Sequence, residues 1–227
     1  MRTFCSRIIF FCLFAALLCA CSKKDDLLFR ELTMAQLSGG SFRTDGGKDF
    51  QVVEQISDLD LTLDGRYLIL CDVLRSSNRS DNAYEVRLLD FDYVLVKDIV
   101  TPSTITPEGA AADDPVLFVK GWIGGGYLNV GLGIHRRSGS NMQHVINLVY
   151  DADHSTADTL YFDLQHNALG DLPTPETLGK YDYQTGYCSF PIAPWLPSPD
   201  AKPVFALRGH WYADELLTPD DYQVYVR

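Results

Sequence analysis

Between Tyr127 and His135, Leu128, Val130, Leu132 and Ile134 alternate with Asn129, Gly131 and Gly133. A period of two places one set on each face of a β-strand and cannot form the apolar stripe of a helix. Gly124-Gly125-Gly126 stands just before it and supplies the positive backbone φ that a tight hairpin needs, so Pro115–Ile123 is the partner strand. Arg136–Asn141 reads as a second turn and Gln143–Tyr150 as a third strand. Asp158–Gln165, Gly186–Ile192, Val204–Tyr212 and Tyr222–Val226 continue the pattern. About seven short strands in a C-terminal half is the count of a β-sandwich.

The N-terminal half is also strand and turn. Arg66–Leu74, Tyr84–Phe91 and Tyr93–Val100 are β-branched and aromatic runs with polar turns between them. Tyr67–Val73 is almost continuously apolar, which fits a strand buried on both faces of a small barrel, and Asp64-Gly65 turns the chain into it. Helical signals are confined to Leu28–Leu37 and a turn at Thr174–Leu178. Residues 101–114 hold Pro102, Pro107, Gly109 and a triple Ala without periodicity, the composition of a linker. The domains are therefore expected at residues 40–105 and 115–227, joined by a linker at 106–114.

Residues 1–20 have another purpose. Arg2 and Arg7 precede the apolar run Ile8–Ala20, which is too short to span a bilayer and has the layout of a secretory signal. Leu18-Cys19-Ala20-Cys21 resembles a bacterial lipobox, with cleavage before Cys21 and diacylglycerol on its thiol. Acyl chains contribute about 0.8 kcal/mol per buried methylene, so a fully acylated Cys21 is a firm membrane anchor. Residues 21–39 are then anchor and tether. Within them Lys24, Asp25 and Asp26 resemble the signal that sends lipoproteins of Bacteroidetes-type bacteria to the outer face of the outer membrane. Without that signal the expected address is the periplasmic face.

Cleavage removes Arg2 and Arg7 from 19 basic residues, so 17 basic and 30 acidic side chains remain and the mature charge is −13. That sign excludes the basic footprint of a nucleic-acid-binding protein. Of the six cysteines, Cys21, Cys71 and Cys188 survive cleavage. With Cys21 lipidated, Cys71 and Cys188 could pair in the oxidising envelope, but their placement in different domains favours two buried thiols.

Several elements of the C-terminal half occur in a recognisable order: Trp122, Gly126-Tyr127-Leu128-Asn129-Val130, His144-Val145-Ile146-Asn147-Leu148-Val149, Leu164-Gln165-His166-Asn167-Ala168-Leu169-Gly170-Asp171 and Ser189-Phe190-Pro191-Ile192. This order resembles the NigD-like lipoproteins of Bacteroidetes over residues 112–212, and in outline over 40–105. The resemblance implies an all-β chain: a small N-terminal OB-like barrel followed by a C-terminal antiparallel β-sandwich. The family name derives from a bacteriocin neighbourhood and implies no reaction.

His166, Asn167, Gly170 and Asp171 lie where a strand becomes a loop; they read as a structural turn, with a ligand site as the alternative. Asp151, Asp153 and His154 lie in a loop faintly like a calcium loop, but Thr156 and Phe162 stand where an EF-hand needs Gly and Glu. His135, His144, His154, His166 and His210 have no metal-ligand spacing, and no CxxC, GxSxG or phosphate-binding loop occurs. No metal or cofactor is expected. Trp195, between Pro194 and Pro197, and Tyr181 and Tyr183, in a polar stretch, are candidate ligand-stacking aromatics.

The expected function is a non-enzymatic, lipid-anchored binding or interaction accessory of the outer membrane or cell surface. Its partners would be a glycan, or an envelope or host protein. The alternatives are a bacteriocin-associated immunity or protection lipoprotein and a hydrolase with an unrecognised site.

Overall fold

The computed structural model describes residues 27–77, 81–105, 113–212 and 219–227. The signal segment, Cys21, Lys24, Asp25 and Asp26 lie outside the described residues.

Five strands, β1 (Phe29–Ser38), β2 (Ser41–Thr44), β3 (Asp49–Gln55), β4 (Gly65–Ser76) and β5 (Ala83–Tyr93), close into a barrel in the order β1-β2-β3-β5-β4. The β3–β5 pairing is parallel and the others antiparallel. Leu37, Phe42, Phe50, Tyr67, Ile69, Cys71, Val73, Val86 and Leu88 fill the interior. Tyr67, Ile69, Cys71 and Val73 are buried, whereas Leu68 and Leu70 on the opposite face of β4 are half-buried, so this strand is less completely enclosed than its composition suggests.

Two sequence expectations fail at the N-terminus. Leu28–Leu37 is strand rather than helix, and residues 29–38 belong to the barrel rather than to a tether. The reason is tertiary: β1 is hydrogen-bonded on both sides, to β2 and β4, and its pairing closes the barrel. Ladder bonds on two sides outweigh weak local helix propensity.

The sandwich has two four-stranded sheets. One runs β6 (Leu95–Val96), β11 (Tyr181–Pro191), β8 (Tyr127–Arg137), β7 (Leu117–Gly124); the other runs β13 (Pro219–Val226), β12 (Val204–Tyr212), β10 (Thr159–Asn167), β9 (Val145–Asp151). Pairing is mostly antiparallel, but β10–β12 and β6–β11 are parallel. β6 precedes the expected linker and is nonetheless the edge strand of a sandwich sheet, which moves the junction between the halves to Val94. Leu128, Val130, Leu148, Phe162, Phe190, Phe205, Leu207 and Trp211 make the core between the sheets. Cys71 lies in the barrel and Cys188 in the sandwich, both buried and free.

The halves meet through a buried polar clasp. Arg66 of β4 donates from Nε to Ser189 Oγ at 2.8 Å, and from Nη2 to Asn129 Oδ1 at 2.9 Å and Asp45 Oδ2 at 2.7 Å. Ser189 Oγ donates to Asn129 Oδ1 at 2.6 Å, and the guanidinium lies 4.1 Å from the Tyr127 ring centre. Gly125, at φ +60°, completes the tight β7–β8 turn, and any Cβ there would collide with the Asp45 carboxylate.

Candidate functional site

On the side away from β7, the two sheets are joined by a narrow seam. β6 pairs with β11 only through Leu95–Cys188 and Val96–Ser189, and Val100 bridges to Val149 of β9. Lys97 crosses the seam, donating from Nζ to Ile146 O at 2.6 Å and to Asn147 Oδ1 at 2.8 Å. Burial lowers its ammonium pKa.

Beyond β6 the seam opens into a groove of about 700 Å³. Leu132, Ile134, Ile146 and Cys188 form its apolar wall, Tyr93 and Met142 also line it, and Lys97 and Arg136 supply charge. Gly186 widens the opening, because nothing lies within 4 Å of where its side chain would be. Arg136 donates from Nη2 to Ser140 O at 3.0 Å, while its Nε is buried without a hydrogen-bond partner. An apolar recess of this size with a few placed polar groups has the form of a ligand site. A second cavity, of about 600 Å³, lies under Ala201–Val204. There β12 is paired on both sides, by β10 and β13, and offers no open backbone edge.

His144 belongs to the groove wall and begins a buried polar chain. Its Nδ1 lies 2.9 Å from His166 Nε2, and its Nε2 lies 3.5 Å from Asp171 Oδ2. His166 Nδ1 faces two carbonyl oxygens, Asp114 O and Pro115 O, each at 3.2 Å. Carbonyls only accept, so His166 carries its proton on Nδ1, and its Nε2 accepts from His144 Nδ1. Asp171 in turn accepts the Arg137 N–H at 3.2 Å. Burial pushes His144 below the usual histidine range, against the pull of Asp171. Burial also lowers His166, with the neighbouring His144 acting in the same direction.

His166, Asn167, Gly170 and Asp171 thus form both a turn and part of this chain. Asn167 Oδ1 accepts the Leu169 N–H at 2.8 Å, the Asp171 N–H returns to Ala168 O at 2.9 Å, and Leu169 and Gly170 sit at φ +54° and +83°. That is a type I′ turn. His144 comes to it from 22 residues away in sequence. The apolar neighbours of His144 hinted at burial; nothing in the spacing of the histidines announced the contact.

The three candidate aromatics are not one cluster. Tyr181 and Tyr183 lie in β11 rather than in a loop, because backbone pairing to β8 extends the strand through polar residues. Tyr181 Oη donates to Leu172 O at 3.1 Å and receives Arg137 Nη2 at 3.2 Å. Tyr183 is exposed, with its ring centre 5.3 Å from that of His135. Trp195 follows the other end of β11, half-buried, with its ring 4.7 Å from Tyr150 and packed on the core. The loop at Asp151 is a structural turn: its carboxylate accepts from the Asp153 N–H at 3.0 Å and from Arg208. Among the described residues no group of three His, Cys, Asp or Glu could hold a metal.

Residues 99–199 match the NigD-like C-terminal beta sandwich domain. The C-terminal half is a NigD-like domain. The whole fold is similar to a protein of unknown function from Bacteroides vulgatus, with a TM-score of 0.66, 19% identity, and coverage of 86% of this chain and 90% of that one. It is similar to a NigD-like immunity protein from Bacteroides caccae, with a TM-score of 0.61, 19% identity, and 86% and 91% coverage. It is also similar to a protein from Bacteroides fragilis named as a lipoprotein, with a TM-score of 0.62, 14% identity, and 88% and 98% coverage. At these identities the likeness is one of fold. No curated protein matches the chain. Among the described residues no helix is long and apolar enough to cross a membrane.

Proposed function

We propose that this NigD-like protein is a lipid-anchored, non-enzymatic binding module of the cell envelope, and that its ligand seats in the seam groove. The observation that carries the reading is the groove itself: about 700 Å³, apolar walls, and Lys97 and Arg136 at the seam. A non-enzymatic role fits the His144–His166–Asp171 chain. Both nitrogens of His166 are occupied and His144 Nδ1 is turned to His166, while His144 Nε2 lies 3.5 Å from Asp171 without a hydrogen bond, so the pair is engaged mainly with its own neighbours. The lipobox at Cys21 supports the anchor, and Lys24, Asp25 and Asp26 support a surface address.

The test has two parts. A photo-crosslinking residue at Met142, on the groove wall, should yield a discrete adduct in intact cells; no adduct overturns the binding role. Protease shaving of intact cells should remove the wild-type protein and spare a Lys24→Ala, Asp25→Ala, Asp26→Ala variant; protection of both puts the protein on the periplasmic face. The shared fold with a NigD-like immunity protein favours a second reading, protection against a bacteriocin. A toxin as the Met142 adduct would decide for it.

A further inference from the structure

β11 extends seven residues beyond the point where β6 begins to pair with it. Residues 181–186 are bonded to β8 on one side, and β6, the neighbour of β11 on the other side, does not reach them. The Lys97 N–H donates to Ser189 O, so odd-numbered residues of β11 turn their N–H and C=O toward the β6 side. Where β6 is missing, Thr185 presents both groups outward and Tyr187 its N–H, and Asp182–Gly186 are exposed. An open edge of this kind is a template for another strand.

The groove runs along the same edge. A strand laid beside β11 in line with β6 covers about 20 Å, the length of six residues, and sends alternate side chains inward. At Gly186 nothing obstructs their entry, and Leu132, Ile134 and Cys188 receive them. The charge of the groove selects the strand. In a mature chain with 30 acidic residues, the groove is lined by Lys97 and Arg136 and by no carboxylate. The buried Arg136 Nε still lacks an acceptor.

We infer that the open edge of β11 takes up an extended acidic segment of a partner protein as an added β-strand, with its alternate apolar side chains in the groove and a carboxylate on Arg136. This rests on the groove being the binding site and specifies what fills it.

The test uses the full mature chain in detergent micelles. Two display libraries of eight-residue peptides alternate apolar positions with polar ones, the polar set containing Glu in one library and Lys in the other. The expected result is enrichment from the Glu library, with affinity at least tenfold weaker in Gly186→Leu and in Arg136→Gln, and slowed amide exchange at Thr185 and Tyr187 on binding. Nothing lies within 4 Å of an added Cβ at Gly186, so Gly186→Leu is expected to keep the wild-type melting temperature; should it misfold, Arg136→Gln and the exchange data carry the test. Enrichment from neither library, equal enrichment from both, unchanged affinity in Arg136→Gln, or unprotected amides at Thr185 and Tyr187 overturns strand addition. Decanoate is the control for the groove alone. If it binds, and Gly186→Leu abolishes that binding while no peptide is enriched, strand addition fails and the binding groove stands. If nothing binds, both fail.

Discussion

Arg66 and Ser189 are 123 residues apart in sequence and joined by a 2.8 Å hydrogen bond between the barrel and the sandwich. Arg66 is 4% exposed, and Asn129 and Ser189 are fully buried beside it. A charge held there is stable only while its partners are present. Removing the guanidinium leaves the Asp45 carboxylate without its cation, a change that typically costs roughly 3–5 kcal/mol in a buried pair. Arg66→Met should therefore destabilise the chain by about that amount and split its unfolding into two calorimetric transitions, one per domain. A single transition at the wild-type temperature would show that the clasp does not couple the halves.

The His144–His166 pair sets a pH window. Both imidazoles are held below their ordinary value of 6.5 by burial, so the folded chain resists protonation that the unfolded chain accepts. Above pH 6.5 the two states bind equal numbers of protons. As pH falls below 6.5 the unfolded state binds more, and stability drops by up to about 1.4 kcal/mol per pH unit for each histidine. The depressed carboxylates Asp72 and Asp151 lose their contribution only below their ordinary 3.8, so the decline that begins near pH 6.5 belongs to the histidines. Urea titrations between pH 7 and 5 should show the decline, and His144→Phe should flatten it. An unchanged slope in that variant would refute the assignment.

Leu169 occupies a left-handed conformation, φ +54°, that a side chain branched at Cγ adopts at a cost of order 1 kcal/mol. It is 50% exposed, so little packing is lost on replacement. Leu169→Asn should raise stability by about 0.5–1 kcal/mol in chemical denaturation, since Asn tolerates this region. A loss of stability would mean that Leu169 contributes packing beyond its backbone strain.

These residues also show what the sequence could disclose. The alternation of Leu128, Val130, Leu132 and Ile134 is local, and it becomes a strand with those side chains inside. β1 was opaque because its strand state depends on partners on both sides, and Tyr181–Thr185 were opaque because only backbone bonding to β8 makes them strand. Trp195 looks like a loop aromatic between two prolines, yet it folds back on Tyr150. Arg66 left one legible trace, a single cation at the head of an apolar run. The groove left none, since it arises from where β6 stops.

Cys188 lines the groove yet is only 6% exposed, and Cys71 is fully enclosed by the barrel. Burial pushes both thiols up to about 12, with nearby Glu31 adding to the effect at Cys71 and Lys97 opposing it at Cys188. The thiolate is the reactive form, and at pH 8 such a group is ionised in roughly one molecule in ten thousand. The native chain should therefore resist a disulfide reagent such as dithiobis-nitrobenzoate at pH 8, and urea should release both Cys71 and Cys188 to it. If Cys188 reacts quickly in the folded state, the groove is wetter at its base than the packing of Leu132 and Ile146 implies, and an apolar ligand loses its reason to bind there.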